Sequence, residues 1–176
     1  MKTLIAALAL LSFLTVVPAQ RDGKAGLSVR GRGRLLVLTE KGRTHSLNLG
    51  DQISAAKLDD VKLLLAAYDG ESTYLILDAC GPSKLRPDAR QCGAGIECDL
   101  IWLKLDAGRR VADSKAVRYE SCWLPITSDG GIFVWDNRLR LDYVDLREKI
   151  KRRVEYYGGQ PEKGFQIAER PLDDVP

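Results

Sequence analysis

Val61-Lys62-Leu63-Leu64-Leu65-Ala66-Ala67-Tyr68, then Asp69-Gly70-Glu71-Ser72, then Thr73-Tyr74-Leu75-Ile76-Leu77-Asp78-Ala79: two apolar runs joined by an Asp-Gly turn decide how this chain folds. Asp-Gly between apolar runs is the strongest short-range hairpin cue, because Gly supplies the left-handed backbone the turn needs. The second run has the Tyr, Ile and Leu content of a strand. The first has the Leu and Ala content of a helix but is short for one. Read as a hairpin, the pair makes the chain β.

The same pattern extends in both directions. Leu35-Leu36-Val37-Leu38-Thr39 and Thr44-His45-Ser46-Leu47-Asn48-Leu49 flank a turn at Gly42, and residues 51–60 read as a loop or short helical turn. Leu100-Ile101-Trp102-Leu103-Lys104-Leu105 pairs with Ala116-Val117-Arg118-Tyr119-Glu120. Gly131-Ile132-Phe133-Val134-Trp135 turns at Asp136-Asn137-Arg138 into the alternating Leu139-Arg140-Leu141-Asp142-Tyr143-Val144. Residues 145–157 fit two periods. Tyr143, Leu146, Ile150, Val154 and Tyr157 give a helical face, whereas Ile150, Arg152, Val154 and Tyr156 alternate as a strand, the reading adopted here. Phe165-Gln166-Ile167-Ala168 adds a last strand. The sum is an all-β or mainly β chain: an antiparallel β-sandwich or partly closed barrel with hairpin connections, a single C-terminal helix near 145–157 being the alternative.

Residues 1–19 predict export. Lys2 precedes an uncharged apolar run from Leu4 to Val17, and Val17-Pro18-Ala19 forms an A-x-A-like cleavage site before Gln20. The run is shorter than the roughly 20 residues of a spanning helix, so cleavage is expected and no membrane span in the mature chain. Residues 20–34 hold Arg21, Lys24, Arg30, Arg32 and Arg34 against Asp22, interleaved with glycines, and read as a flexible basic lead-in. That stretch is net +4 while residues 35–176 are net −2, and, lacking aromatics, it is a solvated segment rather than a nucleic-acid contact. Residues 35–169 read as one β-rich domain and 170–176 as a disordered tail. Asn48 and Asn137 do not begin glycosylation sequons, which suits a periplasmic protein.

An exported chain matures in an oxidising compartment, so Cys80, Cys92, Cys98 and Cys122 predict two disulfides. Thiolate zinc sites pair cysteines about two to four residues apart, closer than any pair here. A turn centred near Arg110 would set Cys98 opposite Cys122. The expected connectivity is therefore Cys98–Cys122, with Cys80–Cys92 closing the proline-containing loop.

Chemistry is sparsely marked. His45 is the sole histidine and sits in a polar strand run. The sequence holds no nucleophile elbow, phosphate-binding glycine loop, zincin motif or EF-hand, so no catalytic, cofactor or metal residue is assigned. Asp78, Asp99, Asp129 and Asp136 lie near strand ends and leave a small carboxylate-dependent hydrolase of cell-wall or glycan substrates as the alternative function. Trp102 and Trp135 follow aliphatic neighbours and are expected in the core, whereas Trp123 at a strand end is expected at the surface. The cluster Arg147, Lys149, Lys151, Arg152 and Arg153 is a second contact surface, or a charged strand edge that blocks pairing.

The leading expectation is a secreted or periplasmic binding module without a cofactor. Its disulfide-pinned loop over residues 80–98 would carry recognition through Trp123, Lys84, Arg86 and Arg90. Its partner would be a protein or glycan of the cell envelope or extracellular space, not a nucleic acid, and inhibition of an extracellular enzyme by that loop is one form of the idea.

Overall fold

A computed structural model describes residues 26–84 and 95–172. Eleven strands are present among them: β1 (Leu27–Arg32), β2 (Leu35–Glu40), β3 (Arg43–Asn48), β4 (Asp60–Asp69), β5 (Ser72–Pro82), β6 (Ile96–Leu105), β7 (Val111–Ser121), β8 (Ile126–Trp135), β9 (Arg138–Asp145), β10 (Ile150–Tyr157) and β11 (Gln166–Pro171). They form three antiparallel sheets, β1-β2-β3, β4-β5-β6-β7 and β11-β10-β9-β8, and none closes into a barrel. Residues 145–157 take the strand reading: Asp145 ends β9, a turn follows, and β10 pairs with both β9 and β11.

The middle sheet explains the continuous apolar runs of the sequence. Successive strand residues point to opposite faces, and both faces of this sheet are buried. Leu75, Leu77, Ile101 and Leu103 enter one core with Leu36, Leu38 and Leu58 from the N-terminal sheet and its following loop. Tyr74, Ile76, Leu100 and Trp102 enter a second core with Leu139, Leu141, Tyr143, Val154 and Tyr156 of the C-terminal sheet. Each fully buried Leu or Ile contributes about 2 kcal/mol. The indole N–H of buried Trp102 donates to the Pro161 carbonyl at 3.0 Å, which fixes the short turn Pro161–Lys163 over the sheet.

Irregular strand positions re-aim the chain. The β4–β5 register passes from Leu63↔Leu77 to Leu65↔Ile76, so Leu64 is an extra, bulged residue. Leu63 consequently packs on the first core and both Leu64 and Leu65 on the second. The bulge breaks the strict alternation of the run at 61–68, whose helix-like appearance comes from its Leu and Ala content.

Several expectations are corrected. Leu27–Arg32, assigned by composition to a flexible lead-in, is β1, with Leu27 and Val29 packed on the first core. Arg170 and Pro171, assigned to a disordered tail, end β11. Residues 51–60 are a loop, as one of the two readings had it: it begins with a single turn in which Ile53 N–H donates to the Leu49 carbonyl, and Leu58 N–H donates to Gly33 and Ala56 N–H to Pro82, binding it beside β1 and β5. The loop expected from residue 80 starts later, because β5 continues through Cys80-Gly81-Pro82 opposite β6.

The expected cysteine pairing is also overturned. Cys80 and Cys98 are directly opposed on β5 and β6, with Cα atoms 4.2 Å apart, and form the disulfide found among the described residues. The β6–β7 turn centres near Gly108 rather than Arg110, with Leu105 opposite Val111, and even with extra residues at Ala112 and Tyr119 of β7, Cys98 lies opposite Glu120 and not Cys122. Cys122 is also disulfide-bonded. Cys92 lies outside the described residues.

Candidate binding face on the C-terminal sheet

Leu139, Leu141 and Tyr143 of β9, with Val154 and Tyr156 of β10, point into the second core. The residues between them therefore form the outer face of the C-terminal sheet. The register orders that face into cross-strand rows. Trp135, Arg138 and Tyr157 make one row across β8, β9 and β10. Phe133, Arg140, Glu155 and Gln166 make the next, reaching β11. Rows stand about 7 Å apart along the strands, and Trp135 and Tyr157 about 9–10 Å apart across them.

The β8–β9 turn builds the end of this face. Asp136 and Asn137 have φ of +42° and +57°, the left-handed pair of a two-residue hairpin turn that fits strand twist. Gly158 N–H donates to the Asn137 carbonyl at 2.9 Å. A side chain at 158 would overlap the Asn137 amide, so glycine there lets turn and strand end meet. The result is a shallow depression of about 520 Å³ lined by Asp136, Asn137, Arg138, Tyr157, Gln160 and Gln166.

Its charges are unevenly committed. Arg140 and Arg153 both bind Asp142, with Arg153 Nε at 2.8 Å, and Lys151 binds Asp129. Burial works against ionised Asp142, but the hydrogen bonds from Arg153 and Arg140 outweigh it and hold the carboxyl below its ordinary range. Arg138 differs: among the described residues it has no carboxylate partner, and its guanidinium lies 5.7 Å from the centre of the Tyr157 ring. Tyr157 donates to Glu155 at 3.0 Å, and that hydrogen bond raises the phenol pKa. Phe133 is 54% and Trp135 48% exposed, beside this polar end.

Trp102 is buried as expected, but Trp135 is not. Its neighbour Val134 points toward Leu139 on the inner side, so Trp135 must point out; following an aliphatic residue argues for the opposite face of a strand, not the same core. Trp123, expected at the surface, is half-buried and donates its indole N–H to the Lys84 carbonyl at 3.1 Å. Those two residues are together, whereas Arg86 and Arg90 lie outside the described residues. The basic cluster at 147–153 is divided between faces: Arg152 turns inward to Asp145, Glu148 and Glu169.

The four strand-end aspartates are dispersed. Asp78 accepts from Tyr119 at 2.6 Å on one side of the central sheet, Asp129 holds Lys151, and Asp136 sits in the β8–β9 turn. Asp99, on the opposite side of the central sheet, accepts from Ser54 N–H and Oγ, each at 2.6 Å, and has Arg118 Nε at 3.9 Å. Burial raises its pKa, partly offset by the Ser54 hydrogen bonds and Arg118. Neighbouring Glu97, also buried, accepts from Ser83 Oγ at 2.9 Å and Cys122 N–H at 3.1 Å. These contacts tie three loop segments to β6. His45 lies in a smaller depression of about 360 Å³ with Arg109 and Arg110, which are bound to Glu40 and Asp106.

Among the described residues no group of three or more His, Cys, Asp or Glu could hold a metal ion, and no helix is long and apolar enough to cross a membrane. Comparison with protein-family models, curated proteins and solved structures finds no match to this chain.

Proposed function

We propose that this protein is an exported binding module that holds its ligand on the outer face of the C-terminal sheet. The observation that carries the proposal is the row Trp135–Arg138–Tyr157, in which an exposed indole, a guanidinium with no carboxylate partner among the described residues and a phenol ring stand side by side next to a polar depression. Exposed aromatic and Arg side chains supply the large, rigid contacts that dominate binding energy. Phe133 extends the apolar strip, and clustered exposed apolar groups mark contact sites on β-scaffolds. Export is supported by the charged start, apolar run and cleavage pattern of residues 1–19, and by a disulfide, which persists in oxidising compartments.

The test places a photocrosslinking residue at Phe133 in living producer cells, with Glu71 on the distant β4–β5 turn as control. Adducts from position 133 alone, on a protein whose amino terminus is Gln20, are expected. Identical adducts from both positions, or none from 133, would reject the binding face. An intact Met1 would reject export.

A further inference from the structure

Resting on the binding face just described, we infer that its ligand is a polysaccharide bearing carboxylate groups, a uronic-acid chain, with Arg138 as the carboxylate anchor and Trp135 as the ring platform.

The depression is lined mainly by planar polar side chains, those of Asp136, Asn137, Arg138, Gln160 and Gln166. Such groups offer paired donors and acceptors to adjacent hydroxyls. A buried protein anchor calls instead for an apolar pocket that can be fully desolvated. Beside the polar groups, Trp135 presents an indole with no hydrogen bond or ring contact to other described residues and about half its surface open. An aromatic face is negative in its quadrupole and attracts the positive C–H edges of a sugar ring. Polar depression and open aromatic face together describe a sugar site.

The charge pattern selects an acidic sugar. Arg138 lies between Trp135 and Tyr157 in the cross-strand row, its fork free of any carboxylate among the described residues. The guanidinium matches a carboxylate with two parallel hydrogen bonds. Arg140, Arg153 and Lys151 on the same face are already neutralised by Asp142 and Asp129. Glu155 one row away and Asp136 in the turn repel a densely charged polymer. Among the described residues Arg138 is the cation of its row without a carboxylate, set between two rings and flanked by acids, which fits one carboxylate held among neutral hydroxyls.

The experiment is affinity electrophoresis of the oxidised mature protein through gels containing polygalacturonate, alginate or hyaluronan, with a neutral β-glucan gel for comparison. At least one uronate gel should retard the wild type far more than the neutral gel. Arg138→Gln should weaken that retardation by about tenfold, Arg138→Lys by less, and Trp135→Ala should abolish it. Arg43→Gln, on β3 of the N-terminal sheet, should leave it within about twofold. Unchanged far-ultraviolet circular dichroism and a cooperative urea transition show that the variants are folded. Equal retardation by neutral glucan, unaffected by Arg138→Gln, overturns the acidic ligand but keeps the binding face. Retardation by no glycan, with a protein crosslinked from position 133, overturns the glycan and likewise keeps the face. Retardation indifferent to both Trp135→Ala and Arg138→Gln overturns inference and face together.

Discussion

Cys80 and Cys98 are direct cross-strand neighbours on β5 and β6, so the disulfide between them staples strand to strand at the base of the segment 83–95. With Cys122 also bonded, Cys92 is the remaining cysteine of the four. Digestion after Lys, Arg and Glu separates all four thiols into different peptides. Mass spectrometry without reduction should find residues 72–84 linked to 98–104, and 91–97 linked to 121–138. A link between 72–84 and 91–97 would restore the Cys80–Cys92 pairing and contradict the β5–β6 register.

Gly81 marks where the loop between β3 and β4 crosses β5. A Cβ at this position would overlap the Lys57 carbonyl oxygen and crowd Ala55. Backbone cannot move aside as a flexible side-chain tip can, because Ala56 N–H is hydrogen-bonded to Pro82 at 2.8 Å. Gly81→Ala should therefore cost about 3 kcal/mol, the upper end of overpacking penalties. Urea unfolding monitored by tryptophan fluorescence measures it. A loss under about 0.5 kcal/mol would mean that the loop does not lie on the strand as described.

The three tryptophans should separate cleanly in a quenching experiment. Trp102 is 1% exposed, Trp123 is half-buried, and Trp135 is 48% exposed. Trp135→Phe should remove the red-shifted, iodide-accessible part of the emission and leave a bluer, protected spectrum, with stability within about 0.5 kcal/mol as for most surface changes. If Trp102→Phe removed the accessible component instead, the two faces of the assignment would be exchanged.

Strands were legible in this sequence because hairpins are local. The turns at Gly42, at Asp69-Gly70 and at Asp136-Asn137 fall between paired runs as read, since turn chemistry and alternation both lie within a few residues. What depended on register was not legible. A bulge at Leu64 and another at Tyr119 each shift pairing by one residue without any signature in composition. The cysteine partners differ from expectation for another reason: the β6–β7 turn centres near Gly108 rather than Arg110, and Cys80 meets Cys98 across an unbroken β5–β6 register. The proposed binding face was hidden for a related reason: Trp135 and Arg138 are ordinary neighbours in sequence, and only the strand order β11-β10-β9-β8 brings Tyr157 and Gln166 beside them. The alternation of Ile132 and Val134 with Phe133 and Trp135 was the one available signal that β8 shows an aromatic side outward.

The outer face also carries a pH signature. Burial opposes ionisation of Asp142, but hydrogen bonds from Arg153 and Arg140 more than offset it, and its folded pKa lies below the unfolded value. A depressed carboxyl stabilises the fold fully above the unfolded pKa, about 3.9, and that contribution falls away as pH drops through the lower folded value. Asp142→Asn removes the ionised acceptor while keeping the shape. It should lower stability at pH 7 by about 1–2 kcal/mol, the range of a hydrogen-bonded charge at a partly solvated site. Below pH 4 the wild-type and variant curves should converge, because the wild type alone loses an ion pair there. Urea titrations at successive pH values between 7 and 2 give both curves. Parallel curves down to the lowest pH would show that Arg140 and Arg153 do not hold Asp142 ionised, and the claim that they are neutralised, leaving Arg138 as the uncommitted cation of its row, would go with it.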